Sequence, residues 1–153
     1  MAVSVATVRQ RCATALEAVT GWTQSTYLGD LWSTANMLGL SPHKRFAVSA
    51  PSTQTLGRRE TQKPLRNRPG GSMVRTRVSV RWMWRVRSDA QVADYDAALD
   101  AEQILITAAV TDVAGSDVRY ILTDISRSLR PDGEAAFVDG TFILDALHQL
   151  DVE

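Results

Sequence analysis

Residues 73–87 read MVRTRVSVRWMWRVR. Val74, Thr76, Val78, Val80, Trp82, Trp84 and Val86 fall on one parity, and Met73, Arg75, Arg77, Ser79, Arg81, Met83, Arg85 and Arg87 on the other. Successive side chains of a strand point to opposite faces, so this strict period of two predicts a strand with a buried face and a basic face. Fifteen residues at about 3.3 Å each would extend roughly 50 Å. A compact domain of this chain length is only about 40 Å across. Unless a bend or bulge keeps it shorter, the segment is therefore expected to form a projecting hairpin arm with a shorter strand at 43–51 (HKRFAVSAP, ended by Pro51) and the loop between them.

Between the two strands lies 52–72, STQTLGRRETQKPLRNRPGGS, with Arg58, Arg59, Lys63, Arg66 and Arg68 among prolines and glycines. Its composition cannot bury enough apolar surface to fold alone, so it reads as an extended basic loop.

On the amino-terminal side, residues 4–20 read as a helix. Val5, Val8, Cys12, Ala15, Leu16 and Val19 form one apolar stripe, with Ser4 placed to cap the start and Gly21 the end. Cys12 lies mid-stripe and reads as core, because a reactive thiolate needs an exposed, electropositive site. Residues 22–42 read as a covering loop with one short helix.

Beyond the long strand, residues 90–113 read as a second helix capped by Ser88 or Asp89. It carries a main stripe of Val92, Tyr95, Leu99, Ile106 and Val110 and a smaller one of Ala97, Ala101, Ile104 and Ala108. One stripe suits the sheet; the other suits the first helix or another subunit. Glu102 falls on the main stripe, and a buried carboxylate needs a partner, so an arginine or a place at the helix edge is expected for it. Residues 118–126 and 135–146 read as two strands of a hairpin. LRPDGE turns between them, Pro131 setting the backbone and Asp132 and Gly133 following. LHQLDVE reads as an exposed tail.

The chain has 153 residues, 17 basic and 17 acidic side chains, one cysteine and two histidines. The length suits a single domain, 1–153, able to bury a core without disulfides or metals. No stretch reads as a membrane span or a signal peptide. The neutral total hides a split: residues 1–88 hold 14 basic and 3 acidic side chains, net +11, and residues 89–153 hold 3 basic and 14 acidic, net −11. Either the halves neutralise each other within one domain, or a basic surface of one copy meets an acidic surface of the next.

The residues point to no enzyme. His43 and His148 are far apart with no ligand-spaced cysteines or carboxylates, so no metal is expected. Gly70-Gly71 precedes Ser-Met, not the Lys-Ser/Thr of a phosphate loop, and no serine sits beside a recognisable base. Acid pairs such as Asp94 and Asp96 read as a solvated helix face. No cofactor is implied. Arginines interleaved with Trp82 and Trp84 suit a nucleic-acid surface, but a stacking platform needs both on one face and the alternation separates them. Arg58, Arg59, Lys63, Arg66, Arg68, Arg75, Arg77, Arg81, Arg85 and Arg87, with Asp96 and Asp100 opposite in charge, are therefore candidate interface or channel residues.

The layout resembles that of the tail terminator (tail completion) proteins of long-tailed bacteriophages and related particles, over about residues 3–147. It is carried by VRQRCATALEAV, the basic loop leading into RTRVSVRWMWRVR, DAQVADYDAALDAEQILITAAV and RYILTDISRSLRPDGEAAFVDGTFILDA. The resemblance implies an α/β (α+β) fold of two helices on a curved, mainly antiparallel four-stranded sheet. It implies a hexameric ring that caps the tail tube, ends tube polymerisation and joins the tail to the head connector. The partners would be further copies, the tube protein and the connector or stopper. DNA would pass through the channel without specific binding, and the place would be the virion tail, assembled in the host cytoplasm. The alternatives are another neck protein, a small basic nucleic-acid-binding module, or a soluble scaffolding domain.

Overall fold

The computed structural model describes residues 3–25, 31–39, 41–56, 73–111, 117–132 and 135–149. The elements are α1 (Val5–Glu17), β1 (Thr23–Gln24), α2 (Leu31–Met37), β2 (Arg45–Thr55), β3 (Met73–Val86), α3 (Gln91–Val110), β4 (Val118–Asp132) and β5 (Ala135–Gln149). The fold is α+β. Five strands form one mixed, mostly antiparallel sheet in the order β1-β2-β3-β5-β4. The fifth strand, absent from the four expected, is β1; it pairs in parallel with β2 through Thr23–Arg45 and Gln24–Phe46. Two residues are too few for an alternation to show.

β3 is the strand that its alternation predicts, but it does not project as an arm. β5 is as long and pairs with it from Met73–Gln149 to Val86–Ala136. β2 flanks its other side out to Thr55–Val74. The strand thus has a neighbour on both sides from Val74 to Met83, and β5 alone flanks it from Trp84 to Val86. β2 also runs through Pro51 instead of ending there. The register shifts between Ser49 and Ser52, and β1 covers only the first two residues of β2. Proline lacks an N–H and is tolerated at such a bulge on an outer edge.

The β4–β5 hairpin is longer than its expected strands. Pro131 pairs with Ala136 and Asp132 with Ala135, so Pro131 belongs to the strand and not to the turn. At the other end LHQ is no tail: β5 continues through Gln149, His148 is buried, and the Val3 N–H donates to the Gln149 carbonyl at 2.8 Å.

Ser4 caps α1 by accepting the Thr7 N–H at 3.1 Å. Val8, Cys12, Ala13 and Leu16 are its buried face. After Ala18 the chain turns at Gly21, whose φ of 88° lies in the left-handed region that glycine enters freely. α3 starts at Ala90 without a side-chain cap, not at Ser88 or Asp89. It buries one stripe: Ala98, Ala101, Glu102, Leu105, Ile106 and Ala109. Val92 and Ile104, each placed on an expected stripe, are exposed. Apolar residues occur all round this helix, so periodicity alone does not reveal which side packs.

α1 and α3 cover the face of the sheet that carries the even-numbered residues of β3 and β5. Phe46, Trp82, Phe142, Leu144, Leu16 and Leu105 fill the space between, all fully buried. Each such side chain contributes about 1.5–3 kcal/mol by leaving water. Among the described residues the opposite face is covered at one end only, where Leu31 of α2 packs with Met83 and Phe137. Met83, on the arginine parity, is therefore core.

Candidate assembly surfaces

A buried polar centre sets the frame. In register, Trp82 of β3, Gly140 of β5 and Arg127 of β4 form one row across the sheet. A Cβ on Gly140 would stand 2.2 Å from the Trp82 ring, so the indole lies over the bare backbone of β5. There its Nε1–H donates to Glu102 Oε2 at 3.2 Å. Arg127 Nε donates to the other oxygen at 2.7 Å, seconded by its Nη2. Both carboxylate oxygens are engaged, as a nearly inaccessible charge requires. Glu102 thus has the arginine that its position demands.

Trp84 sits at the rim, half-buried. It meets Trp22 at 6.0 Å and His43 at 4.9 Å between ring centroids, and Lys44 Nζ stands 5.3 Å from its ring. Of the two tryptophans expected in the core, only Trp82 is fully enclosed.

On the open sheet face the arginines of β3 meet acids of β5. Arg81 donates to Asp139 through Nε at 3.0 Å and Nη2 at 2.6 Å, and Arg130 reaches the same carboxylate at 3.4 Å. Arg75 and Arg77 flank Asp145 at 3.6 and 3.9 Å. Asp145 Oδ1 is buried with no hydrogen-bond partner among the described residues. Arg85 is exposed at the end of the row. Arg87 lies past the strand. It clamps Asp94 through its backbone N–H at 2.8 Å and its guanidinium at 2.9 and 3.0 Å. These bonds hold the Asp94 carboxyl down to about 2.

The split in charge is thus partly an internal matter. Arg11–Asp117, Arg75–Asp145, Arg77–Asp145, Arg81–Asp139 and Arg87–Asp94 all join the basic half to the acidic half. Asp96 and Asp100 are exposed on α3 and have no partner among the described residues. Arg58, Arg59, Lys63, Arg66 and Arg68 lie outside the described residues.

Two features escape the sequence reading. β4 is the last strand of the sheet and exposes every residue from 121 to 129, including Ile121, Leu122, Ile125 and Leu129. Beside it, Val86, Val92, Tyr95, Leu129, Pro131 and Ala136 line an open groove of about 390 Å³. The apolar residues of 118–131 are legible, but which strand ends the sheet is not. Among the described residues, no three His, Cys, Asp or Glu side chains come together as a metal site, and no helix is long and apolar enough to cross a membrane.

No protein-family model matches the chain, and no curated protein matches it in sequence.

Proposed function

We propose that the chain is the subunit of a ring, a hexamer by its resemblance to tail terminators, that caps the head-proximal end of a bacteriophage tail tube. It ends tube polymerisation and joins the tail to the head connector. The observation that carries the reading is the β4 edge. A long sheet edge offers a row of N–H and C=O groups for pairing, and proteins that act alone shorten, charge or cover it. β4 has a register shift after Leu122 and the charges of Arg119, Asp124 and Arg127, but it still keeps Ile121, Leu122, Ile125 and Leu129 exposed within nine residues. Such an edge suits a subunit that another protein surface covers.

The open face suits a channel wall. Arg77 and Arg85 give it positive charge, which attracts phosphates without reading bases. Trp82 and Trp84 are on the other face of the strand, away from any nucleic acid that the arginines meet.

Electron microscopy of tails assembled with and without the chain tests the reading. Tails should carry ring density at the head-proximal end, and without the chain tubes should vary in length and fail to join heads. Normal tails and joined heads in its absence would overturn it. So would tight, saturable oligonucleotide binding by the monomer, the behaviour of a nucleic-acid-binding module.

A further inference from the structure

We infer that the groove between α3 and the β4–β5 hairpin is the acceptor half of a head-to-tail contact between copies of this chain, and that the basic corner of the next copy's open sheet face, Arg75, Leu147 and Arg119, fills it. The inference rests on the assembly reading above and names the surfaces used.

The acceptor is apolar with an acidic lip. Val92 is 78% exposed and Leu129 57%, across the groove from each other. Val92, Asp96, Asp100 and Ile104 follow one another four residues apart, so they form a continuous ridge along α3. Asp94, two residues from Val92 and Asp96 and so on another side of the helix, is neutralised by Arg87; Asp96 and Asp100 have no cation among the described residues. The surface that fits is an apolar side chain flanked by cations.

The open sheet face carries that arrangement. Leu147 stands in register between Arg75 of β3 and Arg119 of β4. In the next row the single carboxylate of Asp145 lies between Arg75 at 3.6 Å and Arg77 at 3.9 Å, so the corner keeps a net positive charge. The charges of the two surfaces are complementary, which sets register and speeds encounter.

Their placement decides the symmetry. The groove is on the helix-covered side at the Val86, Pro131 and Ala136 end of the strands. The corner is on the opposite face, at the Arg75 and Leu147 end. Eleven residues of β3 separate the two ends, roughly 35 Å. A two-fold dimer would have to seat both corners in both grooves at once, which patches on opposite faces and opposite ends of one sheet do not allow. Each copy that donates its corner keeps its groove open for another, so the assembly closes as a ring or runs on as a filament.

Sedimentation velocity of the full chain, in low salt and up to about millimolar concentration, tests this. The wild type should associate beyond a dimer. Asp96→Lys with Asp100→Lys, and separately Arg75→Glu with Arg119→Glu, should each raise the apparent dissociation constant at least roughly tenfold, because like charges then face each other. The chain carrying all four exchanges should regain most of the association. Arg119→Glu alone, with no ion-pair partner among the described residues, separates the contact from any disturbance of Asp145. Unchanged association of the double variants, no recovery in the fourfold variant, or a wild type that stays monomeric throughout would overturn the inference. Particle microscopy reports separately. Double variants that still form the ring sink these surfaces and leave the ring reading standing, whereas tails that assemble normally without the chain sink the ring reading itself.

Discussion

The Trp82 indole rests on Gly140, the residue beside it on the next strand, so closely that a Cβ there would lie 2.2 Å from the ring. Backbone and ring cannot both keep their places if a methyl is added. Gly140→Ala should therefore push the indole off β5 and pull its N–H from Glu102, at a cost of about 1–3 kcal/mol for overpacking. Trp82→Ala should cost about 3–5 kcal/mol, the usual loss for an emptied aromatic site. Chemical denaturation of both variants checks this. A Gly140→Ala chain as stable as wild type would mean that the ring has room to move.

Arg127 neutralises a carboxylate that is almost wholly enclosed. Arg127→Met should leave Glu102 charged, buried and bound only to the Trp82 N–H, a loss of about 3 kcal/mol. Adding Glu102→Gln should return much of that loss, because the uncompensated charge then disappears. Equal losses in the single and double variants would show that the pair is not coupled.

Some of this architecture is legible in the sequence because it depends on local spacing. The alternation of β3 places Trp82 inside and Arg85 outside without reference to any other element. Ser4 as a cap and Glu102 as a carboxylate in need of an arginine are equally local. What depends on sheet order and register is not legible. Asp139 and Asp145 become partners of Arg81, Arg75 and Arg77 only once β5 is known to lie beside β3. Pro51 ends an inner strand but not an outer one, and nothing in HKRFAVSAP says which β2 is. On α3, Val92 and Ala98 are both apolar, and only the position of the sheet decides that the first is exposed and the second buried.

The two histidines predict a pH dependence. His148 is buried, its Nε2 2.7 Å from the Thr76 hydroxyl, and burial holds its pKa below the ordinary value. Burial, then Lys44 and Arg85, lower that of His43. Both rings therefore stay neutral in the fold at a pH where the unfolded chain takes up protons. Their contribution is complete above about pH 6.5 and is lost as the pH falls below it. A second loss follows between about pH 4 and 2, as the Asp94 carboxyl is titrated. Denaturant unfolding at pH 7.5, 6 and 5 should show the first decline, and His148→Gln should flatten it. An unchanged slope in that variant would assign the decline elsewhere.

Arg81 and Arg85 share a face of β3 but should differ when removed. Arg81 makes two short hydrogen bonds to Asp139, which is 9% exposed. The alternation alone would make Arg81 dispensable for folding. With its partner known, Arg81→Ala leaves that carboxylate to Arg130, whose contact is longer at 3.4 Å. A weakened charge-assisted pair at a partly buried site should cost about 1.5–3 kcal/mol. Arg85 is exposed and its side chain has no partner among the described residues, so Arg85→Ala should stay within about 0.5 kcal/mol of wild type. If Arg85 lines a channel, its loss should appear in assembled particles and not in the melt of the subunit. Thermal unfolding of the two variants side by side, followed by their incorporation into tails, measures both. Equal stability of the two would show that the Arg81–Asp139 pair contributes nothing net to the fold.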